Sequence, residues 1–180
     1  MANSPFDIYC QTSLSVLVAD DALGDKYAEL VGKGLTALSK FDWVRETLAA
    51  VRVAVVPWFN GNCPDYAVGV TKHGLDHSHD LLVAAFLGEE WLLTLAHELR
   101  HVWQRSVAME DHAEECKRPY WDRSYERDAR SAEQQVVENI DQALLDEIDA
   151  DARKLDVEMV TELLRQRLAE AAATPTHDEI

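Results

Sequence analysis

From Tyr120 to Thr174 the chain contains neither glycine nor proline. A stretch of this kind offers few places for a helix to stop. Within it Val136 or Val137, Ile140, Leu144, Ile148, Ala152, Leu155, Met159 and Leu163 follow one another three or four residues apart. That spacing lines them along one side of a helix. The stretch predicts one long amphipathic helix, or two helices broken near Asp149-Ala150-Asp151. The tail from Ala173 is expected to fray.

The first half reads differently. Tyr27, Leu30, Val31, Leu35 and Leu38 recur at helical spacing, with Asp20 or Asp21 as the start and Gly32 and Gly34 as weak points. A short helix is predicted over Asp42 to Ala50, capped by Asp42. Leu14, Val16 and Val18 alternate as a strand would, but residues 1–19 also fit a helix. Val51 to Phe59 is rich in β-branched residues and reads as a strand, and Tyr66 to Thr71 and Leu81 to Phe86 read as two more. The expected class is α+β. A small three-stranded sheet would pack on a central helix, with helices before and after. One domain is expected, divided into an N-terminal helical segment (1–50), a core (51–133), a C-terminal helical extension (134–172) and a tail (173–180).

Net charge is −16, which argues against nucleic acid as a partner, because phosphate binding needs a basic surface. No apolar run is long enough to cross a bilayer, so no membrane span is expected. The three cysteines, Cys10, Cys63 and Cys116, form no CxxC pair and no disulfide framework. With no signal-peptide pattern at the N-terminus, a cytoplasmic location is expected.

The chemistry concentrates in His97-Glu98-Leu99-Arg100-His101, an H-E-x-x-H pattern inside Glu89 to Ser106. On a helix, residues four apart lie about 40° apart around the axis, so both imidazoles can face one metal ion. Glu98 stands beside them, where a carboxylate can act as general base on a water. This predicts Zn2+ as cofactor, with a third protein ligand from elsewhere. Trp91, Leu95, Leu99 and Val102 form the buried stripe of the same helix. The bland alternative is a surface helix with two solvated histidines.

Together with Tyr125-Glu126-Arg127-Asp128-Ala129, the stretch LAHELRHVWQ resembles the gluzincin branch of the zincin metallopeptidases. More narrowly it is similar to small phage- and plasmid-associated HExxH proteins of minimal zincin fold. The resemblance spans about Val51 to Glu133. It implies His97, His101 and Glu126 as zinc ligands and Glu98 as general base. Glu126 fits the family's E-x-x-A pattern, but Arg130 stands where that pattern continues with Asp or Asn. A carboxylate that would orient the ligands is thus missing at that position. Asp128 and Glu133 remain alternative third ligands. The metzincin pattern is excluded, because Gln104 and Val107 occupy its glycine and third-histidine positions.

Several other groups carry two readings. Tyr120 and Tyr125 could stabilise an oxyanion or simply pack an aromatic loop. Arg100 and Arg105 are expected in salt bridges. His73, His77 and His79, with Asp76 and Asp80, could bind a metal, but read better as a polar loop between strands. By resemblance, the strand LLVAAF would be a sheet edge that aligns an extended peptide. The acidic C-terminal helices either pack on the domain or offer a face for a homodimer or partner. The expected function is a zinc metallopeptidase acting on a peptide or protein. The alternatives are a metal-binding protein of that fold without peptidase activity and an acidic helical interaction protein.

Overall fold

The computed structural model describes residues 21–57, 69–73, 78–83, 90–108 and 114–173. The helices are α1 (Asp21–Leu38), α2 (Asp42–Ala50), α3 (Trp91–Ser106), α4 (Ser124–Asn139) and α5 (Gln142–Ala173). Two 3-10 turns, Glu115–Lys117 and Tyr120–Asp122, lie in the segment before α4. The strands are β1 (Arg52–Pro57), β2 (Gly69–His73) and β3 (Ser78–Val83).

Helix makes up most of the described residues and strand only a small part. This overturns the expected α+β class, in which a sheet on the motif helix organises the domain. The organiser is α3 itself. It touches α1, α2, α4 and α5 as well as β2 and β3. The core around it is built mainly from helix side chains: Tyr27, Leu35 and Leu38 of α1, Leu95 and Leu99 of α3, and Ile148 and Met159 of α5. The strands contribute Val53, Val55, Leu81 and Val83, too few to form a layer of their own.

The strands run in the order β1-β3-β2, with β1 parallel and β2 antiparallel to β3. The segment read as an edge strand, LLVAAF, is therefore misassigned. Its first residues belong to the central strand β3, and residues 84–86 lie outside the described set. Parts of the other predicted strands, 58–59 and 66–68, lie outside it too, as do residues 1–19.

The C-terminal half divides at Ile140, not at 149–151. Ile148 and Ala152 are both fully buried, so the apolar stripe runs unbroken through the expected break. Ile140 is extended (φ −97°, ψ 139°) and buried. Asp141 then starts α5, its Oδ1 accepting the Ala143 N–H at 2.8 Å, as an N-cap does. Lys40 Nζ donates to the Asn139 carbonyl, meeting an acceptor that the end of α4 leaves open. At α2, Phe41 and not Asp42 takes the cap position, and the Asp42 carboxylate pairs with Arg45.

The glycines of α1 differ in kind. A Cβ on Gly34 would lie 2.8 Å from Trp91 Cζ3 and 3.2 Å from Leu92 Cδ1, both fully buried side chains. Gly34 lets α1 approach α3 closely, whereas Gly32 faces open space. Gly34→Ala is expected to destabilise the chain by about 1–3 kcal/mol through overpacking. Gly32→Ala should stabilise it by up to about 1 kcal/mol. Urea denaturation of the pair checks this, and equal midpoints would contradict it.

Candidate metal centre

The start of α3 is held from across the fold. The Trp91 N–H donates to Asp149 Oδ1 at 3.1 Å, so an acid of α5 serves the open end of the motif helix. One and a half turns later, α3 presents His97 and His101. Their rings sit edge to face, 4.7 Å apart, with the two Nε2 atoms 3.0 Å apart. Glu126, from the first turn of α4, brings Oε2 to 3.3 Å from His97 Nε2 and 3.6 Å from His101 Nε2. The three side chains predicted from sequence thus meet, with one ligand atom from each within 4.8 Å of the others. Glu126 is 5 % exposed, and among the described residues its buried Oε2 has no hydrogen-bond partner.

What lies behind the histidines sets which nitrogen faces inward. His101 Nδ1 is 3.0 Å from Gln104 Oε1. The Gln104 amide NH2 is already spent, donating to the Tyr125 carbonyl at 2.9 Å and to Asp128 Oδ2 at 2.7 Å. Its Oε1 must therefore accept, and His101 Nδ1 must donate. Asp128 is held in turn by Arg100, whose Nε and Nη2 donate at 2.7 and 3.1 Å. His97 Nδ1 faces Glu133 Oε1 at 2.5 Å and donates to it. Both Nε2 lone pairs consequently point at one place, together with Glu126 Oε2.

Three lone-pair donors facing one another call for a positive charge between them. A proton is one answer. Burial pulls the pKa of His97 down, but the Glu126 and Glu133 carboxylates and the charge of Glu98 outweigh it and raise it to about 9. Burial pushes Glu126 up, yet His101, His97 and Tyr120 around it win and hold it well below the usual carboxylate range. A metal is the other answer. Tetrahedral zinc with bonds of about 2.0–2.1 Å needs donors about 3.3 Å apart, and the observed separations bracket that value. The donor set of two neutral imidazoles and one carboxylate also fits zinc.

Sequence reasoning missed the carboxylate behind His97. Arg130 stands where an acid was expected, but Glu133, seven residues after Glu126 on the same face of α4, supplies it. Glu133 and Asp128 are the sequence's alternative third ligands. The structure places both one layer further out, Glu133 on His97 Nδ1 and Asp128 on Gln104 and Arg100. Helical periodicity alone could have put Glu133 on the Glu126 side.

Glu98 is 6 % exposed and reaches β2. Thr71 Oγ1 donates to its Oε2 at 2.6 Å. Burial raises the pKa of Glu98, against the opposing pull of His101, Thr71 and His97. A Cβ on Gly69 would fall 2.6 Å from Glu98 Oε1 and 2.8 Å from both Glu98 Cγ and Thr94 Cγ2. Gly69 therefore leaves the space that the carboxylate fills. Neither residue was singled out from sequence, because both act across strand-to-helix packing.

The centre opens into a cleft of about 790 Å³ between β2, α3, α4 and the 3-10 segment. Tyr120 lines it, and burial together with the nearby Glu126 raises the pKa of its hydroxyl. Tyr125 also lines it, but its hydroxyl is engaged by Arg123 Nη1 at 3.0 Å and lies 3.8 Å from Cys116 Sγ. His73 and His79 belong to β2 and β3, not to a loop. They face each other across the ladder with Nδ1 atoms 2.8 Å apart, and His79 Nε2 meets Ser106 Oγ at 2.8 Å. His77 and Asp76 lie outside the described residues. The expected Arg100 ion pair is present. Arg105 is exposed at the cleft and has no ion pair among the described residues.

Comparison of the chain with protein-family models, with curated proteins and with solved structures gives no match. No helix among the described residues is long and apolar enough to cross a membrane.

Proposed function

We propose that the chain is a zinc-dependent peptidase that acts on a peptide or protein in the cytoplasm. The observation that carries this reading is the convergence of His97 Nε2, His101 Nε2 and Glu126 Oε2 beside a buried carboxylate of raised pKa. The gluzincin-like pattern of those residues in the sequence supports it as well.

His97, His101 and Glu126 would hold the ion, and Glu133 and Gln104 would orient the two imidazoles. A bound zinc ion supplies Lewis acidity, lowering the pKa of water and polarising a carbonyl. Glu98 takes a proton from the attacking water. Thr71 occupies its Oε2, so Oε1 carries the proton, which then passes to the leaving amine. Burial, by raising the Glu98 pKa, makes the carboxylate a better proton acceptor. The Tyr120 hydroxyl stays protonated and can donate to an oxyanion in the cleft. Among the described residues β2 is a terminal strand, and its Gly69, Val70, Thr71 and His73 line the cleft. An extended peptide can add to it by backbone hydrogen bonds.

Purified, unchelated protein is expected to carry one zinc per chain, measured by elemental mass spectrometry. His97→Ala should lose it. Glu133→Ala should keep the site but weaken zinc affinity by roughly 10–100-fold, as loss of an orienting carboxylate does. Absence of stoichiometric zinc from the unsubstituted protein would remove this reading.

A further inference from the structure

We propose that Trp121 forms an aromatic subsite at the mouth of the cleft that selects peptides with a bulky apolar side chain near the scissile bond. The proposal deepens the peptidase reading and rests on it for the peptide backbone.

Trp121 is 71 % exposed, a large apolar surface left to water in a chain that buries its other described tryptophans far better. It is nevertheless held from two sides. The Arg130 guanidinium lies 5.0 Å from the indole centroid, and its Nη2 donates to the Trp121 carbonyl at 3.3 Å. The Tyr120 ring meets the indole edge to face at 5.3 Å. An exposed aromatic ring that is fixed in place offers area without a large ordering cost, the property of an anchor site.

Its position links it to the centre. Arg130 is one turn beyond Glu126 on the face of α4 that lines the cleft, and Tyr120 stands next to Glu126. The departure from the E-x-x-A-D/N pattern thereby gains a physical role. With Glu133 orienting His97, position 130 is free to carry an arginine that positions Trp121. The cleft around the centre is more apolar than polar at its surface, with Val70, Tyr120, Trp121 and Tyr125 among its lining residues. A peptide backbone suits the main-chain groups of β2, and a phenylalanine or leucine side chain suits the indole face.

The test uses full-length Glu98→Gln protein loaded with zinc and fluorescently labelled alanine hexapeptides carrying Phe, Leu, Lys or Glu at one position. Fluorescence anisotropy should show the Phe and Leu peptides binding about tenfold tighter than the Lys and Glu peptides. Trp121→Ala on that background should abolish the preference, bringing the Phe and Leu peptides to the affinity of the all-alanine peptide. Arg130→Met should reduce the preference in part. A preference that survives Trp121→Ala, equal affinity for all peptides, or binding of none of them would overturn the subsite. Hydrolysis by the unsubstituted enzyme is scored separately. Cleavage of all peptides with no dependence on Trp121 overturns the subsite and leaves the peptidase reading intact. Trp121-dependent binding without any cleavage does the reverse.

Discussion

Glu98→Gln is expected to lower peptide hydrolysis by roughly 10²–10⁴-fold while zinc content stays at one per chain. The amide keeps the shape of the side chain and still accepts from Thr71, but it cannot take a proton. Gly69→Ala should give a similar loss by a different route. Its methyl group would occupy the space of Glu98 Oε1 and Cγ, displacing the base without touching His97, His101 or Glu126. Thermal denaturation and metal analysis of both variants, alongside turnover measured by mass spectrometry of peptide products, separate lost chemistry from lost folding. Turnover at the unsubstituted rate in Glu98→Gln would sink the general-base assignment. Full activity in Gly69→Ala would show that the strand does not position the carboxylate.

Asp156→Asn is expected to stabilise the protein at pH 8 by up to about 4 kcal/mol and to change little at pH 4. Asp156 sits on α5 at 5 % exposure, and among the described residues its Oδ1 has no hydrogen-bond partner. Burial raises its pKa from 3.8 to about 7. The native state thus favours the protonated form. Below pH 3.8 the group is protonated folded or unfolded and costs nothing extra. As pH rises from 3.8 to about 7 the unfolded chain ionises freely and the native one does not, so stability falls. Above pH 7 the loss is constant. Chemical denaturation across pH 4–8 should show the decline in the unsubstituted chain and a flatter profile in the variant. Parallel profiles would mean that Asp156 is not the source.

Much of the centre was legible because it obeys helical periodicity. The four-residue spacing of His97 and His101 needs only the backbone of α3 to put two imidazoles on one side. Glu126 opens a helix that the glycine- and proline-free stretch made unavoidable. Glu133 obeys the same arithmetic as Glu126. Its orienting role is masked in the sequence because the gluzincin pattern that the chain resembles carries its acid at position 130 instead. The break at Ile140 was also written locally, in an Asp141 suited to capping. The apolar spacing hides it by continuing across it, with Ile140 itself buried. The three strand patterns were local too, but their weight in the fold was not. A β-branched run shows that a segment can extend, not how much of the core it will supply.

The sequence alone determined the helices, the buried face of α3 and the chemical types gathered at its centre. These follow from side-chain spacing and from the absence of breakers, which are properties of neighbours along the chain. Tertiary structure decided the rest. It made α3 the hub of a mainly helical core, and it brought Asp149 of α5 to the start of that helix. It also set Thr71 and the empty side of Gly69 against Glu98 and stood Trp121 on Arg130. Those contacts join residues far apart in the chain, and no short-range pattern encodes them. They depend on how far helices can approach, and so on side-chain volumes summed across several elements at once.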